Sequence, residues 1–198
     1  MIRDHLRVVH MFAKIPPDGI AVDTTSRSQP WAAGLSPFHL PGGKLYGDYQ
    51  ARTMENAWQY AKVYARHILP NGEIAPEYFA WAQAGWDNPR AVRYPMGKGA
   101  RPEFSLWDGE RLGYIEARKK IYVPLYSRAT VTTLSFAYLT KLLADAMRDG
   151  KIVYLRDWDG YDHVKLGMTL QDVGRCETKK MGHAFVLVSL LCDDPIYR

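Results

Sequence analysis

Glu55, Gln59 and Lys62 stand four and three residues apart, which places a carboxylate, an amide and an ammonium on one row of a helix. In a first helical turn, unpaired backbone N–H groups and the helix dipole favour an ionised carboxylate. An anion held there could stabilise positive charge developing on a sugar ring. Glutamate is also an ordinary first-turn residue, so the spacing leaves both readings open. A second group is Arg156-Asp157-Trp158-Asp159-Gly160-Tyr161-Asp162, three carboxylates and two aromatic rings directly behind a strand-like run. Loops at strand ends often carry site residues, and Asp157 or Asp159 could position hydroxyls or water there. These acids do not complete a calcium loop, because no glutamate stands at the twelfth position. Three cations could meet a phosphate: Arg27 between Ser26 and Ser28, and Lys98 and Arg101 in the glycine-bearing stretch 91–101. That stretch lacks the full P-loop pattern and its following Ser or Thr. His183, just ahead of an apolar run, is the best placed histidine, although a lone histidine there serves equally as hydrogen-bonded structure.

These groups need elements to hold them. Thr53 can cap a helix, and Met54, Ala57, Trp58, Ala61, Tyr64, Ala65 and Ile68 recur at helical spacing, which predicts a helix over 53–67. Upstream, residues 5–13 read as a strand ended by Pro16-Pro17-Asp18-Gly19. Residues 20–48 carry many prolines and glycines and read as short extended pieces joined by turns, with Trp31, Phe38 and Tyr46 either filling core or forming a wall for a flat ring. Helices are expected over 75–86, over 108–126 with Pro124 kinking or ending it, and over 133–148 with Leu134, Ala137, Tyr138, Leu142, Ala146 and neighbouring Leu139, Leu143 and Met147 on a broad core face. Residues 151–156 read as a strand, and 184–191 as a strand buried on both faces.

The 198 residues are 47% hydrophobic, enough for a substantial core in one domain, 1–198. The formal charge of +5 suits a phosphate-bearing partner. Basic residues are scattered, with short clusters only at 118–120 and 179–180, which fits a nucleotide-sized anion better than a dedicated nucleic-acid binder. Cys176 and Cys192 form no zinc-type or disulfide pattern, so neither a metal nor a cofactor is expected, and a reducing cytoplasmic setting is. No apolar run approaches the length of a membrane span, and no membrane partner is expected.

Leu35-Ser36-Pro37-Phe38, then Gly43-Lys44-Leu45-Tyr46, then Thr53-Met54-Glu55-Asn56-Ala57 to Gln59 and Ala61-Lys62 resemble the opening of the NADAR family. In that family a serine-asparagine-phenylalanine segment and a glycine turn precede a threonine-x-glutamate-histidine helix ending in alanine-x-lysine. The resemblance implies a mainly helical α+β single domain packed around a small sheet. It also implies cleavage of N-glycosidic bonds, on riboflavin-pathway intermediates or on ADP-ribose attached to guanine, with Glu55 catalytic and Ser36, Phe38 and Lys62 beside the substrate. Asp157-Trp158-Asp159-Gly160 is similar to the family's aspartate-aromatic-glycine segment, and Gly97, Lys98 and Arg101 to its glycine-arginine turn. Tyr114 and Arg118 take the places of a tryptophan and a basic residue, so the resemblance has Tyr114 stacking on the ligand and Arg118 pairing with phosphate or carboxylate. Three positions depart from the family: Pro37 for asparagine, Asn56 for histidine, and the Lys180-Met181-Gly182-His183 stretch, which lacks a further asparagine.

The expected function is hydrolysis of the bond between ribose or a ribose phosphate and a base-like group, on a nucleotide or phosphosugar or on ADP-ribosylated nucleic acid. A non-catalytic module binding ADP-ribose or a nucleotide is the alternative, and a nucleic-acid-binding protein using aromatic stacking is a third.

Overall fold

The computed structural model describes residues 1–197. In chain order a 3₁₀ turn (Ile2–His5) is followed by β1 (Leu6–His10), β2 (Ile20–Asp23), a short helix α1 (Pro30–Ala33), β3 (Gly43–Lys44) and β4 (Gln50–Ala51). Then follow α2 (Met54–Gln59), β5 (Lys62–Val63), α3 (Pro76–Asp87), β6 (Phe104–Trp107) and β7 (Glu110–Leu112). A helical run made of α4 (Tyr114–Ala117), a π-helical turn (Arg118–Tyr122) and α5 (Val123–Thr130) leads to α6 (Leu134–Arg148), β8 (Val153–Asp157), α7 (Leu170–Arg175) and α8 (His183–Cys192). Helices and strands are thus mixed, and the strands form three small sheets among the described residues rather than the single one expected. The chain divides into two compact units, residues 1–36 with 126–198, and residues 37–125.

The first unit is built on a parallel sheet in the order β1-β8-β2. Its register pairs Leu6 with Val153, Val8 with Leu155 and His10 with Asp157, so these side chains share one face. Arg7, Val9, Tyr154 and Arg156 share the other. α8 packs on β1 and β8. The sequence reading made 184–191 a strand, and it is a helix instead. The run is apolar at every position except Ser189, so it has no periodicity to separate the two states, and a buried helix satisfies it equally well. Gly182 starts it and Asp193, in the left-handed region at φ 49°, ends it. In α6 the buried positions are Leu139, Leu143 and Ala146. Leu134, expected in the core, is 89% exposed because it opens the helix, and Tyr138 is half exposed against Trp31.

The second unit holds the hairpin β3-β4 and the antiparallel sheet β5-β6-β7. The helix expected over 53–67 stops at Gln59. Beyond it the carbonyls of Tyr60 and Ala61 accept the Tyr78 hydroxyl, Leu106 N–H donates to Ala61 O, and Lys62 and Val63 pair with Ser105 and Phe104. Tertiary pairing with β6 thus overrides a helical pattern in Tyr-Ala-Lys-Val-Tyr that is weak in helix formers. The helix expected over 108–126 starts only at Tyr114. Asp108 and Gly109, at φ 47° and 79°, form the tight turn of the β6-β7 hairpin, for which Asp-Gly is a strong signal. Pro124 neither ends nor breaks the helix, since the π-helical turn precedes it and α5 runs through it.

Candidate functional site

In the second unit the start of α2 is closed without help from Glu55. Met54 N–H donates to Leu40 O, Glu55 N–H to Pro37 O, and Asn56 N–H to the Thr53 hydroxyl. The donors that a first turn normally leaves open are therefore satisfied by backbone carbonyls and the Thr53 cap. Glu55 is 7% exposed all the same. A carboxylate placed there costs solvation and needs partners. One of them is Gln59, whose Nε2 donates to Glu55 Oε1 at 2.8 Å, and Lys62 Nζ in turn donates to Gln59 Oε1 at 2.7 Å. The polar row predicted from spacing is thus a chain of hydrogen bonds from a buried carboxylate, through an amide, to a half-buried ammonium. The row survives although Lys62 has left the helix for β5, because its side chain spans the gap.

Rings and a second cation flank this row. Lys62 Nζ lies 4.9 Å from the centre of the Trp58 ring, and Trp58 meets Tyr122 edge-on at 5.2 Å. Tyr122 closes the π-helical turn that Arg118 opens. Such turns are often found at functional sites, since they re-aim side chains that a regular helix would stagger. Arg118 is 1% exposed, with its guanidinium 3.9 Å over the Tyr114 ring, while Tyr114 itself is 46% exposed. A buried guanidinium on an aromatic face can serve an anion or simply lock the helix. Asn56 is fully buried and donates from Nδ2 to Asn88 O and Arg90 O while accepting from Val92 N–H. Asn56 thus fastens the segment 88–92. Phe38 is half-buried ahead of α2. Lys98 and Arg101 are exposed in a turn whose Gly97 and Gly99 both have φ 91°.

In the first unit, Asp157 ends β8 and is 4% exposed. Its Oδ2 accepts Ala184 N–H at 3.1 Å and faces His183 Nδ1 at 3.2 Å, and its Oδ1 accepts Asp159 N–H. His183 Nε2 lies 2.9 Å from Thr24 O, and its ring packs 5.7 Å from Tyr126, whose hydroxyl donates to Leu35 O. Burial holds the Tyr126 hydroxyl well above the ordinary tyrosine range. Both oxygens of Asp157 therefore anchor the β8 end and the α8 start, and a Cβ at Gly182 would overlap Oδ2. The geometry gives Asp157 and His183 positioning roles within this unit. Asp159 is half-buried with Lys180 Nζ at 3.8 Å, and Trp158 is 44% exposed. Ser36 is buried, and Arg27 is exposed in a turn after β2.

The structure joins Glu55, Lys62 and, through Trp58 and Tyr122, the turn of Arg118. It joins Asp157, Asp159 and His183 separately. Beside these, the structure brings in Gln59 and Tyr122. For Gln59 the signal was its i,i+4 offset from Glu55. For Tyr122 there was none, because a π-turn leaves no mark in hydrophobic spacing. Among the described residues no cluster of three or more His, Cys, Asp or Glu side chains could hold a metal ion, and no helix is long and apolar enough to cross a membrane. No family model matches the chain, and neither a curated protein nor a solved structure matches it.

Proposed function

We propose that this chain is an N-glycosidase of the NADAR type, hydrolysing the bond between ribose and a base-like group on a nucleotide or phosphosugar. The observation that carries the reading is Glu55, a buried carboxylate on a helix start that is already capped, held by Gln59 and through it by Lys62. The first-turn N–H groups have backbone and Thr53 acceptors, and a carboxylate this buried is the kind of group that functional sites hold. In the reaction the C1′–N bond breaks with its electron pair leaving on the base nitrogen, which takes up a proton. Water adds to C1′ and gives up a proton, so that sugar–base and water become sugar–OH and base–H. Glu55 stabilises the positive charge that develops on the sugar and orients the water. Gln59 fixes the plane of the carboxylate, and the exposed Tyr114 ring, backed by the buried Arg118, offers a surface to the base.

The test is chromatography of the protein mixed with NAD, with ADP-ribosylated guanine DNA and with phosphoribosyl intermediates of the riboflavin pathway. A released base is expected from one of them. Glu55→Gln is expected to lower turnover by about 10²-fold or more while leaving calorimetric binding nearly unchanged. Turnover that survives Glu55→Gln overturns the mechanism.

The second reading, a module that binds ADP-ribose without cleaving it, draws on Asn56 and Asp157. Each is committed to backbone partners within its own unit, so neither is free to serve as an acid or base. Tight binding with no base released from any of the substrates would favour it.

A further inference from the structure

In the 37–125 unit, Gln59 stands between two charges and can face them in only one way. Its Nε2 lies 2.8 Å from Glu55 Oε1, and its Oε1 lies 2.7 Å from Lys62 Nζ. An ionised carboxylate only accepts hydrogen bonds and an ammonium only donates them. Turning the amide over would set a carbonyl against the carboxylate and an NH2 group against the ammonium, so both contacts would change from attraction to repulsion. Gln59 is 8% exposed, which leaves water poorly placed to take over either bond. The direction of the amide thus depends on both charges, and the hydrogen bond that Glu55 receives depends in part on Lys62.

Lys62 is itself held at both ends. Its backbone belongs to β5, where it pairs with Ser105, and Leu106 N–H fastens Ala61 O just ahead of it. Its ammonium lies 4.9 Å from the centre of the Trp58 ring, and a cation over an indole face is attracted to it. Trp58 in turn meets Tyr122 edge-on at 5.2 Å, which steadies the ring. The chain therefore leaves α2 after Gln59, and the Lys62 side chain returns to two adjacent residues of that helix, Trp58 and Gln59. Held so, the ammonium gives up side-chain freedom that a solvated lysine keeps.

We propose that Lys62 is a positioning residue for Glu55: its charge, steadied by Trp58, sets the direction of the Gln59 amide and through it the place of the carboxylate. The ammonium is then spent on the protein rather than on the phosphate of a substrate. Without that charge the amide is free to turn, and the carboxylate loses a fixed donor. The kinetic part of this proposal rests on the reading of Glu55 as the catalytic carboxylate, whereas the coupling of Lys62 to the Gln59 amide exists without any substrate.

Two-dimensional 1H–15N spectra of the free protein report the side-chain amide of Gln59, identified by its absence in Gln59→Leu. Lys62→Met, which keeps an unbranched stem and removes the charge, is expected to move both amide signals toward those of a solvated glutamine and to speed their exchange with water severalfold. Lys62→Arg is expected to hold them near the wild-type positions, and Trp58→Leu to shift them part of the way. Gln59 signals unmoved in Lys62→Met overturn the proposal, whether or not the protein cleaves anything. With the substrate identified by base release, Lys62→Met is expected to lower kcat about tenfold or more with KM changed less than about twofold. Lys62→Arg is expected to recover most of that loss, and adding Gln59→Leu to Lys62→Met to deepen it little, because the two act through one hydrogen bond. A raised KM at unchanged kcat overturns the proposal by assigning Lys62 to the substrate. Absence of base release from the wild-type protein overturns the N-glycosidase reading alone, and the spectra still decide the coupling. Circular dichroism and the dispersion of the same spectra confirm that each variant is folded.

Discussion

At residue scale, two neighbours on α2 divide the work. Glu55 is held by Gln59 on the same helix, whereas Asn56 reaches out to the segment 88–92. Its amide makes three hydrogen bonds to the backbone of 88–92 from a site with no exposure. Asn56→Ala is expected to cost about 2–4 kcal/mol, because it strands two carbonyls and one N–H out of water. Asn56→His is expected to destabilise as well, since an imidazole cannot donate twice from one nitrogen and accept at the amide oxygen's position. Urea unfolding at neutral pH measures both. Gln59→Ala is expected to leave stability within about 1 kcal/mol while lowering turnover, because it frees the Glu55 carboxylate from its hydrogen bond. A turnover equal to wild type would mean that Gln59 has no part in placing the carboxylate.

At the scale of elements, the junction of β8 with α8 depends on one side chain. Asp157 accepts the N–H of Ala184 and faces His183, so the open donors of an apolar helix start are met by a strand end. Asp157→Ala is expected to destabilise by about 2–4 kcal/mol, with hydrogen exchange accelerating first at the amides of the opening turn of α8. Loss of turnover without loss of stability would instead assign Asp157 to the chemistry. The π-helical turn of Arg118–Tyr122 does the complementary job in the other unit, rotating Arg118 onto Tyr114 and Tyr122 onto Trp58. It also lets the chain pass through Pro124, whose missing N–H would otherwise interrupt a regular helix.

At the scale of the whole chain, each compact unit holds a buried histidine whose pKa burial lowers. In the 37–125 unit it is His67, whose Nδ1 accepts Tyr64 N–H and whose pKa is lowered first by burial and then by Arg66. In the other unit it is His163, lowered by burial against a partial opposing pull from Asp162. A base whose folded pKa lies below its unfolded value binds protons more readily when unfolded, so stability rises with pH there. It is fully present above the ordinary histidine value of 6.5 and is lost as pH falls below it. The midpoint of urea unfolding is therefore expected to be level from about pH 7 to 8 and to drop on acidification toward pH 5. His163→Gln is expected to flatten part of that drop, and an unchanged slope would remove His163 as a cause.

The sequence by itself determined what is encoded locally. Thr53 as a cap, the helices at 76–87 and 134–148, the strands at 6–10 and 153–157, and the row of Glu55, Gln59 and Lys62 all follow from spacing or from one residue's hydrogen-bonding chemistry over a few positions. Tertiary structure decided whatever spacing leaves degenerate or whatever distant partners override. The run 184–191 is apolar except for Ser189, so helix and strand bury it equally, and the Asp157 carboxylate at its N-terminus favours the helix. Residues 60–63 read as helix until β6 and the Tyr78 hydroxyl take their backbone groups. The parallel pairing of β1 with β8 was not legible either, because it joins residues 6–10 to residues 153–157 across more than a hundred positions, and no local pattern records such a pairing.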